Sequence, residues 1–244
     1  MPVCVPIPEL PAHTPLTVGT LSSAVAGLSA PEFLRTALRA FAGRIALVSS
    51  FGAEAAVLLH MAAAVDSSLP VIFLDTGKLF GETRRYRDTL IRRLGLHDVR
   101  SIEPDAKRLA AEDPQGMLWH SAPDRCCALR KVEPLARALA PFDAWINGRK
   151  RSHGASRAHL PLVEQAEGRI KLNPLANWSA EDVAAYFAAH DLPHHPLEAE
   201  GYRSIGCLPC TEPAAPGEGP RAGRWRGHDK TECGIHLLSA RGHG

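Results

Sequence analysis

Apolar residues fall into two rhythms that alternate along the chain. Residues 44–49 (Arg-Ile-Ala-Leu-Val-Ser) and 69–74 (Leu-Pro-Val-Ile-Phe-Leu) are short, mainly apolar runs, the pattern of strands buried on both faces of a parallel sheet. Residues 99–102, 144–147 and 169–172, with an exit through Pro174 and Leu175, are read as three more strands. Between them lie stretches with apolar positions at helical spacing. These are residues 29–41, stopped by Gly43; 55–64; 80 or 82 to 94, stopped by Gly95; 124–139; and 179–190, where Ser179 is the N-cap and Asp182 completes a capping box. Residues 103–115 are polar, 192–196 break the pattern with Pro193 and Pro196, and 213–223 are rich in Gly and Pro. The alternation predicts an α/β fold with a mostly parallel sheet flanked by helices.

Three units are expected. Residues 1–20, with Pro2, Pro6, Pro8, Pro11 and Pro15, form a loosely ordered arm carrying a spectator Cys4. Residues 21–212 form one nucleotide-binding domain, and 213–244 a mobile C-terminal segment. Composition narrows the partners. At 244 residues with 45% hydrophobic and 22% charged residues, the chain is ordinary for a soluble globular protein. A net charge of +2 gives no polyelectrolyte signature, so nucleic acid is not expected as a partner. No apolar run approaches the roughly 20 residues needed to span a bilayer, and the N-terminus lacks the blocks of a signal peptide. The expectation is a cytoplasmic protein that makes no membrane contact, in which cysteines serve as ligands or catalysts.

The candidate chemistry gathers where the expected strands end. Ser49-Ser50-Phe51-Gly52-Ala53-Glu54 joins a strand to a helix. It is either an anion site made by backbone N–H groups and the helix dipole, or a plain connection; without Gly-Lys-Ser/Thr it is no Walker A loop. Asp75-Thr76-Gly77-Lys78 ends the second strand with polar groups suited to a nucleoside, and Gly148-Arg149-Lys150-Arg151 ends the fourth with charge that either faces an anion or covers an exposed loop. The arginines at 84, 85, 87, 92 and 93 are read as a solvated helix face, and His194, His195 and His228 as loop residues. Cys207-x-x-Cys210 suggests metal, iron–sulfur or redox chemistry. With the adjacent Cys126 and Cys127 it makes four thiolates, enough for closed zinc or a [4Fe–4S] cluster, and the adjacency tilts the reading toward the cluster. Cys233 stands apart, with Lys230 and His236 each three residues away. Neighbouring cations favour a thiolate, so it is either a reactive thiol or a stray surface cysteine.

Taken together, these pieces resemble the assimilatory sulfonucleotide reductases, specifically the iron–sulfur adenylyl-sulfate reductases. The matching residues run in family order over about 44–237: Ser49 to Glu54, Leu74 to Gly77 with Leu79-Phe80 and Glu82-Thr83, Cys126-Cys127 with Arg130-Lys131, Gly148 to Lys150, Cys207-x-x-Cys210, Arg221-x-x-Arg224-Trp225, and Glu232 to His236. The resemblance implies a Rossmann-like adenine-nucleotide α-hydrolase (PP-loop) fold. It implies a [4Fe–4S] cluster on Cys126, Cys127, Cys207 and Cys210, and Cys233 as nucleophile. Substrate contacts would come from Ser49, Ser50, Phe51, Gly52, Asp75, Thr76, Gly77, Lys131, Arg149, Arg221, Arg224 and His236. Adenosine 5′-phosphosulfate (APS) would be reduced to sulfite and AMP through an S-sulfocysteine, resolved by thioredoxin or a glutaredoxin-like dithiol protein.

Three other readings compete. A reductase of the 3′-phosphorylated substrate (PAPS) would share the mechanism, although such relatives commonly lack the four ligand cysteines. An ATP-using PP-loop enzyme, a thiolase or ligase, would be expected to carry a Ser-Gly-Gly-x-Asp-Ser type loop in place of residues 49–54. A zinc- or cluster-bearing binding module would leave Cys233 without a purpose. Oligomeric state is open, a homo-oligomer included.

Overall fold

A computed structural model describes residues 16–227 and 230–236; Cys4, most of the proline-rich arm and His228 lie outside them. Helix α1 (Val18–Val25) opens within the stretch read as an arm, where the Thr17 hydroxyl accepts the Thr20 N–H at 3.2 Å. Helix α2 (Ala30–Ala40) follows, with Glu32 folding back on the Ser29 N–H at 2.9 Å to close a capping box. Then come β1 (Ile45–Val48), α3 (Ala55–Val65), β2 (Val71–Leu74), α4 (Gly81–Leu94) and β3 (Val99–Ile102). Gly95 ends α4 in the left-handed conformation, φ 62°.

Beyond them lie α5 (Ala106–Glu112), α6 (Leu118–Ser121), α7 (Pro123–Cys127), a π-helical turn over Ala128–Val132, α8 (Glu133–Ala138), β4 (Ala144–Ile146), β5 (Val163–Ala166), β6 (Arg169–Leu172) and α9 (Ala180–Ala189). The six strands pair in the order β3-β2-β1-β4-β6-β5, all parallel except the edge strand β5. Side chains alternate between two layers. Ile45, Leu47, Val71, Phe73, Ala144, Ile146, Ile170 and Leu172 face a core closed by α1 to α4 and α9. Ala46, Ile72 and Trp145 face the smaller core under α8, with Leu135, Leu139 and Phe142.

Three features depart from the expectation. The polar stretch 103–115 contains α5, which buries no side chain. It is held at its start by Asp105, whose carboxylate accepts the N–H groups of Lys107 and Arg108 at 2.9 and 3.0 Å. The sixth strand, β5, pairs with β6 through a tight turn in which Glu167 (φ 50°) and Gly168 (φ 76°) are both left-handed. Asn-Gly is the usual sequence for that turn, so Glu-Gly hid the hairpin. The helix expected over 124–139 starts at Pro123 and is widened in its middle. Pro134 has no N–H for the carbonyl four residues back, and the π turn lies immediately before it. Among the described residues no helix is long and apolar enough to cross a membrane.

Candidate active site

Strand order reverses between β1 and β4, and the loops leaving these two strands part to open a crevice at their carboxyl ends. A cavity of about 230 Å³ occupies it. From the β1 loop, Ser49, Ser50 and Gly52 line the wall, whereas Phe51 turns its ring into the core and meets Phe73 edge-on at 5.4 Å. Phe51 is itself left-handed (φ 47°), with its N–H bonded to the Ser49 hydroxyl at 3.1 Å. A non-glycine residue held this way marks a backbone constrained by its surroundings. The β2 loop gives the wall Thr76. Asp75 instead bonds Arg84 at 2.9 and 3.0 Å, and Gly77 lies against the Arg130 guanidinium, so both stand off the wall.

The remaining walls are basic. Lys131, Arg149, Arg221, Arg224 and His236 all line the cavity, as does Cys233. Arg149 is anchored by Asn147 at 3.1 Å, by Asn173 at 3.2 Å and by a short ion pair with Glu164. Burial, and then the neighbouring Arg157 charge, lower both Arg149 and Arg221 to about 10. At the start of α3, Glu54 accepts hydrogen bonds from Lys150 at 2.6 Å and pairs with the His153 ring at 2.8 Å. Burial alone would raise its carboxyl, but His153 and Lys150 outweigh burial and hold it at about 2.

The C-terminal segment reaches this cavity in two passes. Gly223 lies so close to the chain before it that a Cβ would collide with the Glu212 carbonyl. That contact lets Thr211 and Arg224 form a β-bridge and lays the Arg224 guanidinium 4.4 Å over the Trp225 ring. Glu232 is buried and clasped by Arg157 at 2.6 and 2.9 Å and by Arg221 at 3.3 Å. His236 lies parallel to Trp145, 9° between planes and 6.3 Å between centroids, and Ile235 joins the core under α8. These contacts place Cys233 among the cations.

Cys126 and Cys127 end α7, Cys207 and Cys210 flank a short 3-10 turn, and the four line one small cavity beside the first. All five described cysteines are free thiols. Among the described residues, no three of His, Cys, Asp or Glu converge on a point suited to a single metal ion. Burial raises the Cys126 thiol to about 11. Burial would also raise Cys207, but Lys131, the Thr76 hydroxyl at 3.2 Å and Arg224 outweigh it and lower that thiol. Four thiols around a shared space, with cations and a hydroxyl at its edge, form a donor set that fits an iron–sulfur cluster.

Arg157, Glu232 and Lys171 carry much of this arrangement and were not singled out from sequence. Glu232 did stand in the quoted stretch beside Cys233. Arg157 lies in an irregular segment with no periodicity, and Lys171 shares a four-residue strand with Arg169, where alternate cations read as a solvent-facing side.

A parallel sheet with a basic, cysteine-bearing cavity at its switch point defines a nucleotide-binding α/β protein of the PP-loop type. Residues 44–213 match the model of the phosphoadenosine phosphosulfate reductase domain, and the chain belongs to that family. A protein of Mesorhizobium japonicum named adenosine 5′-phosphosulfate reductase is 57% identical over 203 residues, covering 83% of this chain and 80% of its own. One of Gloeobacter violaceus named phosphoadenosine 5′-phosphosulfate reductase is 43% identical over 213 residues, covering 85% and 88%. The crystal structure of phosphoadenylyl-sulfate reductase from Candida auris superposes with a TM-score of 0.69 at 28% identity, covering 80% of this chain and 96% of that one. FMN adenylyltransferase from Candida glabrata, at TM-score 0.55 and 15% identity over 80% and 73%, shares the fold.

Proposed function

We propose that Cys233 is the nucleophile with which this chain reduces adenosine 5′-phosphosulfate to sulfite and AMP. The observation that carries the reading is the presence of Cys233 in the wall of the cavity that Lys131, Arg149, Arg221 and Arg224 make basic. The relatives named for APS reduction, at 57% identity over most of the chain, support the substrate.

The Cys233 thiolate attacks the sulfur of the phosphosulfate. A sulfur–sulfur bond forms, the bond from sulfur to the bridging oxygen breaks, and AMP leaves with the electron pair. The guanidinium and ammonium groups offset charge on the phosphate and the sulfonate as that bond opens. A thiolate of a dithiol protein, thioredoxin or a glutaredoxin-like one, then attacks Cys233 Sγ and expels sulfite. Its second thiol resolves the mixed disulfide. The dithiol supplies both electrons, and Cys233 returns as a thiol. Cys126, Cys127, Cys207 and Cys210 would hold a [4Fe–4S] cluster, which would supply a fixed charge near Lys131. The enzyme would act in the cytoplasm.

The test is anaerobic sulfite release with thioredoxin, from APS and from PAPS in parallel, for the wild type and Cys233→Ser. Turnover of APS with little from PAPS, lost in the variant, is expected. Sulfite production by Cys233→Ser at the wild-type rate would remove the nucleophile assignment. Equal use of PAPS would remove the substrate preference and leave the mechanism standing.

A further inference from the structure

Strand β6 presents Ile170 and Leu172 to the larger core and turns Lys171 to the opposite face, beside Trp145 of β4 in register. Ala46, Ile72 and Trp145 make that face apolar. Lys171 is therefore a cation at a sheet position built for a hydrocarbon, and it is 0% exposed. Its Nζ lies 4.8 Å over the Trp145 ring and has no hydrogen-bond partner. The nearest carboxylate oxygen, on Glu164 of β5, is 3.7 Å away and already serves Arg149 and the Asn173 amide. A buried ammonium left without acceptors is costly.

The charged groups facing Lys171 come from every neighbouring element. Arg149 stands on the loop after β4, Arg157 beyond it, Glu164 on β5, and Glu232, Cys233 and His236 on the C-terminal segment. Burial first, and then Arg149 and Arg157, lower the Lys171 ammonium to about 7, against the opposing pull of Glu232 and Cys233. Arg149, Cys233 and His236 also line the nucleotide-sized cavity. Anionic ligand entering there changes the field on Lys171 in one direction only, toward the charged form.

We propose that Lys171 takes up a proton when an anionic nucleotide enters the cavity, so that its ammonium balances part of the incoming charge and attracts Glu232 and Cys233 of the C-terminal segment. Lys171 is on this account a positioning residue. The proposal rests on the reading of the cavity as a sulfonucleotide site.

Calorimetric titration with AMP, in buffers of different ionisation enthalpy, counts protons taken up per ligand bound. A Cys233→Ser background removes the neighbouring thiol. About 0.9 proton at pH 8, where the AMP phosphate is already fully ionised, follows from a group titrating near 7 in the free protein. Correspondingly, the Kd for AMP rises roughly eightfold from pH 7.5 to pH 8.5. Lys171→Arg keeps a permanent charge and Lys171→Met removes it; both bind AMP with uptake near zero. Arginine keeps the fold testable if methionine does not. Uptake that survives Lys171→Arg, or that disappears instead in His236→Asn, overturns the proposal. So does AMP binding to the background protein with no proton uptake at pH 8. If AMP binds to none of the proteins, the sulfonucleotide reading fails and the proposal with it.

Discussion

At the scale of single residues, the cavity is organised by charges that fix one another before any ligand arrives. Glu232 is the clearest case, because two arginines from different parts of the chain converge on its carboxylate. Breaking one side of a buried pair leaves the other charge uncompensated, at a cost of about 3–5 kcal/mol if nothing moves. The chain has a less costly response, which is to release residues 230–236. Glu232→Gln should therefore lose less than that range in denaturant unfolding, and trypsin should cut after Lys230 several-fold faster than in the wild type. Equal cleavage rates would show that the ion pair does not hold the segment. Such pairings are largely invisible in sequence. Arg149, Arg221 and Arg224 could be picked out because they sit in recognisable stretches. Arg157 and Lys171 could not, since their meaning depends on which distant carboxylate or ring they meet. Phe51 and Asp75 stood in those stretches too, yet packing against Phe73 and pairing with Arg84 draw their side chains away from the cavity.

At the scale of elements, legibility followed burial on two faces. β1, β2 and β4 were readable because each is a short apolar run, and α9 because Ser179 and Asp182 cap it reciprocally at 3.1 and 2.9 Å. α5 has no buried stripe to read, and the Glu167-Gly168 turn gave no hairpin signal for β5. The π turn was not legible either, although Pro134 was in plain view. Elements also separate stability from binding. Ser179→Ala should lower stability by about 1 kcal/mol and leave AMP affinity unchanged, because no residue of α9 lines the cavity. Gly223→Ala should weaken AMP binding at least about tenfold, because the added methyl must push the chain away from Glu212 and carry Arg224 with it. Urea midpoints and AMP titration on both variants check the pair. A Gly223→Ala protein with unaltered affinity would mean that Arg224 does not touch the ligand.

At the scale of the whole molecule, four histidines are held less basic than a free ring. His60, His153, His195 and His236 are all lowered, each chiefly by burial. His195, at about 4, is the most informative. Its Nδ1 accepts the Leu197 N–H at 3.2 Å, so Nε2 carries the proton and bonds the Thr83 hydroxyl at 3.1 Å. Below the unfolded value near 6.5 the unfolded chain binds protons that the folded one refuses, so stability falls as pH drops toward 4. The carboxylates do not contribute until lower pH, because Glu54 is still ionised in both states above its unfolded value of 4.5. His195 alone should remove about 2 kcal/mol between pH 7 and pH 5. His195→Gln should be correspondingly less acid-sensitive in urea unfolding at those two values. An identical loss in both proteins would assign it to the other rings.

The docked C-terminal segment has a consequence for the order of events. With Glu232 clasped and Ile235 in the core, the Cys233 sulfur faces inward, where a small molecule fits and a second folded protein does not. Under the proposed function, taking the sulfonate from a nucleotide and giving it up to a protein thiol would require the same sulfur at two addresses. On that proposal the segment would work as a courier, loaded inside and unloaded outside. Its ion pairs then set how long the cargo stays sheltered from stray thiols, so a tighter clasp should slow turnover while making the sulfonated enzyme longer-lived.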